Sequence, residues 1–450
     1  MLLFFDGFRP QSRWVLLATF LLAAAIRLAY IATLSGDVSF FAEPDAEVYW
    51  ALSGHLRDTL LNTTDRLPLY PMLLAACRAL FGDAPRAVAI VQALLDVGTC
   101  VIIARLALFV SFPAAIAAGV MAACSATLVI YSAQMLTDTL SLFFLTAAFL
   151  ATALFLQQPK LAMAAGAGLL AGFALAARPS VALLLPTMAA VMVFRMVRTD
   201  LRSGIVCAAL FCATSILPIA PTLIRNYVHF DRVALTSQSG DYLAFWIAPM
   251  LRQREDGTQF ESTVKKMQYA FDDTVRQAPD AYANPFEQSS LKVRLARAEL
   301  SSISPFTFAK AWTEGAVLNL LAPAVLGDPR VRKMEKPSFV ATPGTSLVER
   351  AVLYFNSSTA AYAAIIGLSA AASVISTALA ALGFAILLRT KPALAALAAV
   401  SIGYFLILTG PIGSPKYRLP MEPALIILAA VGIVSMRSRI RGSSREARAP

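Results

Sequence analysis

The stretch VLLATFLLAAAIRLAYIATL, residues 15–34, decides the fold class, and FAEPDAEVYWALSGHL, residues 41–56, follows it closely. The first is an apolar run of about 20 residues, which is long enough to cross the hydrocarbon core of a bilayer as a helix. The second puts Glu43, Asp45 and Glu47 just beyond that helix. Because no small-x-small cleavage site follows the run, we expect it to remain as a helix and not to be removed as a signal peptide.

The composition extends this interpretation to the whole chain. Of the 450 residues, 58% are hydrophobic and 14% are charged, and the mean hydropathy is +0.67. This is too apolar for the surface that a soluble domain shows to water. The five cysteines are odd in number and scattered, which indicates neither a disulfide framework nor a CxxC metal site. The sequence therefore predicts an all-α polytopic membrane protein.

Apolar runs predict about ten transmembrane helices. The predicted spans are residues 14–34, 86–109, 112–131, 134–156, 161–177, 180–195, 203–224, 360–388, 392–410 and 419–436. With these spans the basic residues gather at one set of helix ends, while the connections 131–134, 178–179 and 411–418 carry only Arg178, Lys416 and Arg418. The positive-inside rule then predicts that both termini are cytoplasmic. The net charge of +11 is thus a topology signal and not a nucleic-acid surface.

The spans divide the chain into four parts. They are an N-terminal transmembrane module, 1–224, which contains a first external loop at 35–85; a long external segment, 225–350; C-terminal transmembrane helices, 351–436; and a basic cytoplasmic tail, 437–450. In the first loop, Leu69, Met72, Leu73, Ala76 and Leu80 share one face at helical spacing, which predicts a helix lying in the membrane interface. The tail is expected to meet anionic lipid headgroups.

Several phrases, in order, resemble the GT-C glycosyltransferases, which include protein O-mannosyltransferases and lipid A aminoarabinose transferases. The phrases are IRLAYIATL (26–34), EPDAEVYWALSGHL (43–56), RLPLYPMLLAACRALFGDAPRAVAIVQALL (66–95), YSAQMLTDTLSLFFL (131–145), GLLAGFALAARPSVALLLP (168–186), LIRNYVHFDRVALTSQSG (223–240) and GSPKYRLPMEPALIILAAVGI (413–433). The resemblance implies a GT-C fold and a sugar donor carried on a polyprenyl phosphate.

The resemblance also implies a catalytic base. In that family an aspartate of the first external loop accepts the proton of the acceptor hydroxyl, and Asp45 is the residue that matches. Several relatives carry an adjacent DE pair there, whereas this chain has Glu43-Pro44-Asp45-Ala46-Glu47, so Glu43 and Glu47 are candidate accessory acids. The alternative for Asp45 is a structural one, since an aspartate at a helix start can cap the free backbone amides.

The leaving lipid phosphate needs fixed cations, and the candidates lie at the predicted external face. They are Arg66, Arg178, Arg225, Lys416 and Arg418. Related enzymes place basic residues before the last helix, which singles out Lys416 and Arg418. Arginine suits phosphate because its planar fork donates two hydrogen bonds at once. The alternative for each cation is to extend along the apolar surface to the headgroups.

Two further candidates remain open. Asp138, at the start of the fourth predicted span, is a third candidate accessory acid, and it either orients an arginine, binds the sugar, or compensates a helix dipole. A divalent ion on the first-loop carboxylates is possible, but no residue spacing requires a metal or any other cofactor.

The sequence thus predicts an inverting membrane hexosyl- or pentosyltransferase. Its partners would be a polyprenyl-phosphate-linked sugar, a glycan, glycolipid or protein acceptor, and membrane lipids, with the active site on the periplasmic side of the inner membrane. The alternatives are a transporter or flippase for a lipid-linked sugar, and a non-catalytic binding subunit. A transporter is expected to show internal repeats, and none is evident.

Overall fold

The computed structural model describes residues 10–336, 339, 342 and 346–446, and in these ranges the regular structure is helical. The helices of the first half are α1 (Pro10–Thr33), α2 (Pro44–Gly54), α3 (Leu56–Asn62), α4 (Leu69–Phe81), α5 (Pro85–Ala107), α6 (Phe112–Cys124), α7 (Ala126–Ser132), α8 (Thr137–Gln157), α9 (Leu161–Ala177), α10 (Leu184–Met196), α11 (Leu201–Ile216) and α12 (Ala220–Phe230). The predicted all-α fold is confirmed.

The second half contains a set of shorter helices followed by the last long ones. These helices are α13 (Ser239–Tyr242), α14 (Ala248–Asp256), α15 (Phe260–Gln277), α16 (Pro285–Leu300), α17 (Pro305–Leu321), α18 (Pro329–Arg332), α19 (Leu347–Asn356), α20 (Ala360–Thr390), α21 (Pro392–Thr409), α22 (Pro415–Arg418) and α23 (Glu422–Glu446). Helix α23 continues ten residues beyond the predicted span end at 436, so the first part of the basic tail is helical; residues 447–450 lie outside the described ranges.

Seven helical segments in the described ranges are long and apolar enough to cross a membrane, and two bent pairs bring the number to nine. The bent pairs are α6 with α7, at 46°, and α11 with α12, at 61°. Helix α9, an apolar helix of 17 residues, occupies the remaining predicted position. Each of the ten predicted spans therefore has a helical counterpart, and the protein is an integral multi-pass membrane protein.

The bends have local causes in the sequence. The chain turns at Ser125, whose hydroxyl accepts a hydrogen bond from the Leu128 amide and so begins a new helix. The second bend falls at Pro218 and Pro221, which lack the backbone N–H that would continue the helix. Both bends place the second helix of the pair near the end of the bundle where the long connections lie.

Small residues let the long helices approach closely. Gly383 of α20 lies against the Leu428 carbonyl of α23, and Gly432 of α23 lies against the Leu379 carbonyl. Gly168 and Gly172 of α9 meet the backbone of α11 in the same way. Such contacts are the usual basis of helix association in lipid, where apolar burial alone does not favour one helix over a lipid tail.

A buried ion pair lies among the first helices of the bundle. Arg27 of α1 donates from Nε to Asp96 Oδ2 of α5 at 2.6 Å, and the two side chains are 0% and 2% exposed. The guanidinium also donates to the carbonyls of Ala122 and Ala123, at the end of α6. This pair links the first three spanning elements, because charged groups in the membrane must find partners within the protein.

The first loop and the long external segment cover one end of the bundle, which we call the loop end. Helix α4 buries Tyr70, Leu74 and Cys77, while Met72 and Leu80 of the predicted apolar stripe stay exposed. An exposed apolar stripe on a short helix fits an interfacial position. The helices α13–α17 form the larger part of the external segment, with their own apolar contacts around Leu251 and Met267.

Candidate active site

A cavity of about 410 Å³ opens at the loop end, and it is lined by residues far apart in sequence. Its charged lining residues are Asp45, Asp65, Arg66, Asp138, Arg178 and Lys416. They come from α2, the loop before α4, the start of α8, the end of α9 and α22. Five of the nine predicted site residues thus meet in one place: Asp45, Arg66, Asp138, Arg178 and Lys416.

Asp45 is held by the turn that precedes α2. Pro44 occupies the first helical position, and Glu43 before it is extended, with φ −100° and ψ 138°. This is the geometry expected before a proline. The Asp45 carboxylate, 43% exposed, lies 3.1 Å from Arg66 Nη2 through Oδ1 and 3.9 Å from Lys416 Nζ through Oδ2. Its partners are therefore two cations, and it keeps an exposed edge toward the cavity.

Arg66 is the most constrained cation beside Asp45. Its guanidinium also contacts Asp65 Oδ2 at 3.2 Å and lies 5.9 Å from the centre of the Tyr49 ring. Its buried Nε has no hydrogen-bond partner among the described residues. Burial raises the pKa of the Tyr49 hydroxyl, and the Arg66 guanidinium opposes that rise. Asp65 was not predicted as a site residue from the sequence, although it lies directly before the predicted Arg66.

Asp138 and Arg178 form an ion pair across the cavity floor. Asp138 lies in the first turn of α8 and is 5% exposed, whereas Arg178 directly follows α9 and is 21% exposed. Among the roles that the sequence left open for Asp138, this contact favours the one in which Asp138 orients an arginine. The pair fixes Arg178 with part of its guanidinium facing the cavity.

Two predicted phosphate-binding residues lie outside the cavity. Arg418 is 3% exposed and pairs with Glu422 at 2.8 Å, with further bonds to the Leu320 carbonyl and Thr377. Arg225 donates to its neighbour Asn226 and to the Leu60 carbonyl at 3.1 Å. The geometry gives both arginines structural partners and does not bring either to the cavity.

The two candidate accessory acids of the first loop also lie away from the cavity lining, whereas the third, Asp138, belongs to it. Glu43 forms an ion pair with Arg332 at 2.8 Å and is 13% exposed. Glu47 is exposed on α2, two residues after Asp45, which places it roughly 200° around the helix. Neither carboxylate shares the surface that Asp45 presents.

The described residues contain no group of three or more His, Cys, Asp or Glu side chains placed to hold a metal ion. In the cavity, Asp45 and Asp138 have cations as neighbours instead. The donor set of the described residues therefore does not fit a resident divalent ion.

Comparisons with known proteins bear on the fold of the chain. Residues 65–224, which include Arg66, Asp138 and Arg178, match the family described as dolichyl-phosphate-mannose-protein mannosyltransferase. The archaeal oligosaccharyltransferase AglB from Archaeoglobus fulgidus, solved with an inhibitory peptide and a dolichol-phosphate, superimposes with a TM-score of 0.55 at 14% identity. The alignment covers 98% of this chain and 52% of AglB. The chain has the GT-C fold.

Other solved structures of GT-C enzymes show weaker likeness. ArnT from Cupriavidus metallidurans, bound to undecaprenyl phosphate, gives a TM-score of 0.36 at 17% identity, over 94% of this chain and 79% of ArnT. The arabinosyltransferase EmbB from Mycobacterium smegmatis gives 0.36 at 15% identity, over 96% of this chain and 43% of EmbB. No match to this chain was found among curated proteins. This chain spans about half the length of AglB. The predicted resemblance to GT-C membrane glycosyltransferases is confirmed.

Proposed function

We propose that this protein is an inverting glycosyltransferase that takes a sugar from a polyprenyl-phosphate donor, with Asp45 as its general base. One observation carries the proposal. The aspartate at the family's base position opens into a cavity that also presents Arg66, Arg178 and Lys416. A base and several cations in one pocket suit a reaction that removes a proton from one partner and releases a phosphate from the other.

The chemistry is a single displacement. The acceptor hydroxyl oxygen attacks the anomeric carbon, its proton passes to the Asp45 carboxylate, and the bond from the anomeric carbon to the phosphate oxygen breaks. The phosphate leaves with the electron pair, and its added negative charge is met by the cations. Because the attack comes from the face opposite to the leaving group, the anomeric configuration inverts. Arg66 and Lys416 are well placed for this step, since both already contact Asp45.

The acceptor would enter past the external segment. Thr236, Gln238, Ser239 and Tyr242 form the cavity wall on that side, and their hydroxyl and amide groups suit a partner rich in hydroxyls. This wall supports a glycan or glycolipid acceptor, such as a component of lipopolysaccharide or another envelope glycan, with a hydroxyl-bearing protein as the other class. The sugar would be a hexose or a pentose.

The charge distribution supports a periplasmic active site in an inner membrane. Arg105, Lys160, Arg195 and Lys391 all lie at the bundle end opposite the cavity, where Arg195 and Lys391 donate to backbone carbonyls of neighbouring helix ends. Cytoplasmic helix ends carry the excess of basic residues, so the loop end and its cavity would face away from the cytoplasm.

The test is transfer of labelled sugar from a panel of polyprenyl-phosphate sugars to membrane glycolipids by the purified protein. We expect Asp45→Asn to abolish turnover while binding of polyprenyl phosphate persists, because the amide cannot take the proton. Asp58→Asn is the control, since Asp58 is an exposed carboxylate of the same loop outside the cavity. Turnover by Asp45→Asn equal to wild type would remove Asp45 from the chemistry. Binding of the lipid-linked sugar without turnover by the wild type would favour a transporter or binding subunit.

A further inference from the structure

The chain segment 322–332 packs on the first loop, although the contacting residues Ala42 and Arg332 lie 290 residues apart in sequence. The segment contains a 3₁₀ turn, Ala324–Gly327, and the short helix α18. The turn packs on α7 and on α22, and α18 packs on the 3₁₀ turn Asp37–Phe41 that leads into α2. It therefore touches both the chain before Asp45 and the helix that carries Lys416.

Arg332 makes the contact with the first loop. Its Nη1 donates to the Ala42 carbonyl at 2.6 Å and forms the ion pair with Glu43 Oε1 at 2.8 Å. These acceptors lie three and two residues before Asp45. The Arg332 side chain is 32% exposed and that of Glu43 is 13% exposed, so the pair is largely shielded from water.

The segment itself is anchored at the end of α1. Asp328, 5% exposed, accepts from the Arg330 amide at 2.8 Å and from the Tyr30 hydroxyl at 3.1 Å. Burial would raise the pKa of the Asp328 carboxyl, but the hydrogen bonds and charge of Arg330 hold it below its usual value. At Gly327 a Cβ would overlap the Tyr131 ring, so the turn lies directly on α7. Arg332 is thus presented from a fixed support.

From these contacts we infer that Arg332 is a positioning residue for the base, acting through Glu43 and the Ala42 carbonyl. This inference rests on the proposed function, because it assumes that Asp45 is the base. Pro44 makes the path from Glu43 to Asp45 stiff, since its ring fixes one backbone dihedral angle. Holding residues 42 and 43 therefore fixes where α2 starts and where the Asp45 carboxylate points. Glu43 has a structural partner in this arrangement and takes no proton.

The test measures kcat and KM for sugar transfer in Arg332→Gln, Glu43→Gln, the double variant and the charge exchange Glu43→Arg with Arg332→Glu. We expect each single variant to lower kcat by about 10- to 100-fold, the cost typical of a misplaced reacting group, with KM for the donor nearly unchanged. The double variant should be no worse than the singles, because both remove one interaction. The charge exchange should recover part of kcat. Lys333→Gln, one residue along and exposed, is the control for loss of charge.

Each other outcome overturns the inference in a recognisable way. Wild-type kcat in Arg332→Gln, with Asp45→Asn inactive, would reject the positioning role and leave the proposed function standing. Activity lost in Glu43→Gln as completely as in Asp45→Asn, with no recovery in the charge exchange, would make Glu43 a reacting acid. Full turnover by Asp45→Asn would reject both proposals together. If Arg332→Gln fails to fold, the charge exchange decides instead, and a kcat there no higher than in Glu43→Gln alone would reject the positioning role.

Discussion

Removing Asp138 and removing Arg178 from their ion pair should lower the free energy of unfolding by different amounts. Asp138 is 5% exposed and Arg178 is 21% exposed, so the carboxylate depends more on its partner. Removing one partner of a fully buried pair costs about 3–5 kcal/mol, and an exposed pair is worth about 1 kcal/mol or less. Arg178→Met would leave the carboxylate buried without a cation, at about 3 kcal/mol. Asp138→Asn would leave a guanidinium that cavity water can reach, at about 1–2 kcal/mol.

Ligand binding should separate the same two variants. Arg178→Met removes a cation that lines the cavity, so binding of polyprenyl phosphate should weaken by roughly 10-fold or more, the value of a hydrogen bond to a charged group. Asp138→Asn keeps the guanidinium and removes its competitor, so phosphate should bind as tightly as in wild type or more tightly. Unfolding of the detergent-solubilised variants and titration with polyprenyl phosphate give the two quantities.

Two results would refute this reasoning. If Asp138→Asn is as destabilising as Arg178→Met, the difference in burial does not set the energetics of the pair. If Asp138→Asn weakens phosphate binding as much as Arg178→Met does, then Asp138 does more than orient Arg178. The double variant is informative in both cases, because its cost should be clearly smaller than the sum of the two single costs if the pair acts as a unit.

Two predictions concern the bundle. Asp96→Asn should lower the free energy of unfolding by about 3–5 kcal/mol, because it leaves the fully buried Arg27 without a counter-ion. The double variant Arg27→Met with Asp96→Leu should be close to wild type, since it removes both charges. Equal unfolding midpoints for the single and the double variant would contradict this. Gly383→Ala should destabilise the protein by about 2 kcal/mol, because the added Cβ would overlap the Leu428 carbonyl. Gly367→Ala lies on the same helix with open space around it, so it should be neutral or slightly stabilising. Equal thermal midpoints for the two variants would show that α23 moves aside without cost.

The spans could be predicted from the sequence because the membrane makes the signal local. A run of about 20 apolar residues is sufficient in itself, and no knowledge of its neighbours is needed. The two bends, by contrast, depend on single residues such as Ser125 and Pro218 inside continuous apolar runs, so a hydropathy average does not reveal them. The extension of α23 to Glu446 was missed for the opposite reason, since its last turns are polar.

Some residues can be predicted from the sequence to line the cavity, whereas for others the prediction requires the three-dimensional packing. Asp45 was predicted through the family resemblance, Arg66 through its charge at the predicted external face, and Lys416 through both. Arg418 illustrates the limit of that reasoning. It lies two residues after Lys416 in α22, so the helical turn sends the two side chains in nearly opposite directions. Only the packing of α22 decides that Lys416 faces the cavity and Arg418 faces Glu422.

The balance of charge in the cavity shapes how a phosphate would bind there. Arg66, Arg178 and Lys416 face Asp45, Asp65 and Asp138, so the formal charges of the lining cancel. A phosphate would gain little from net charge and must instead exchange partners with a carboxylate. Lys416 is the easiest to exchange, because its 3.9 Å separation from Asp45 is beyond an ordinary hydrogen bond. Turning Lys416 toward the phosphate would also leave Asp45 with one cation fewer, so donor binding and exposure of the base would be coupled in the same movement.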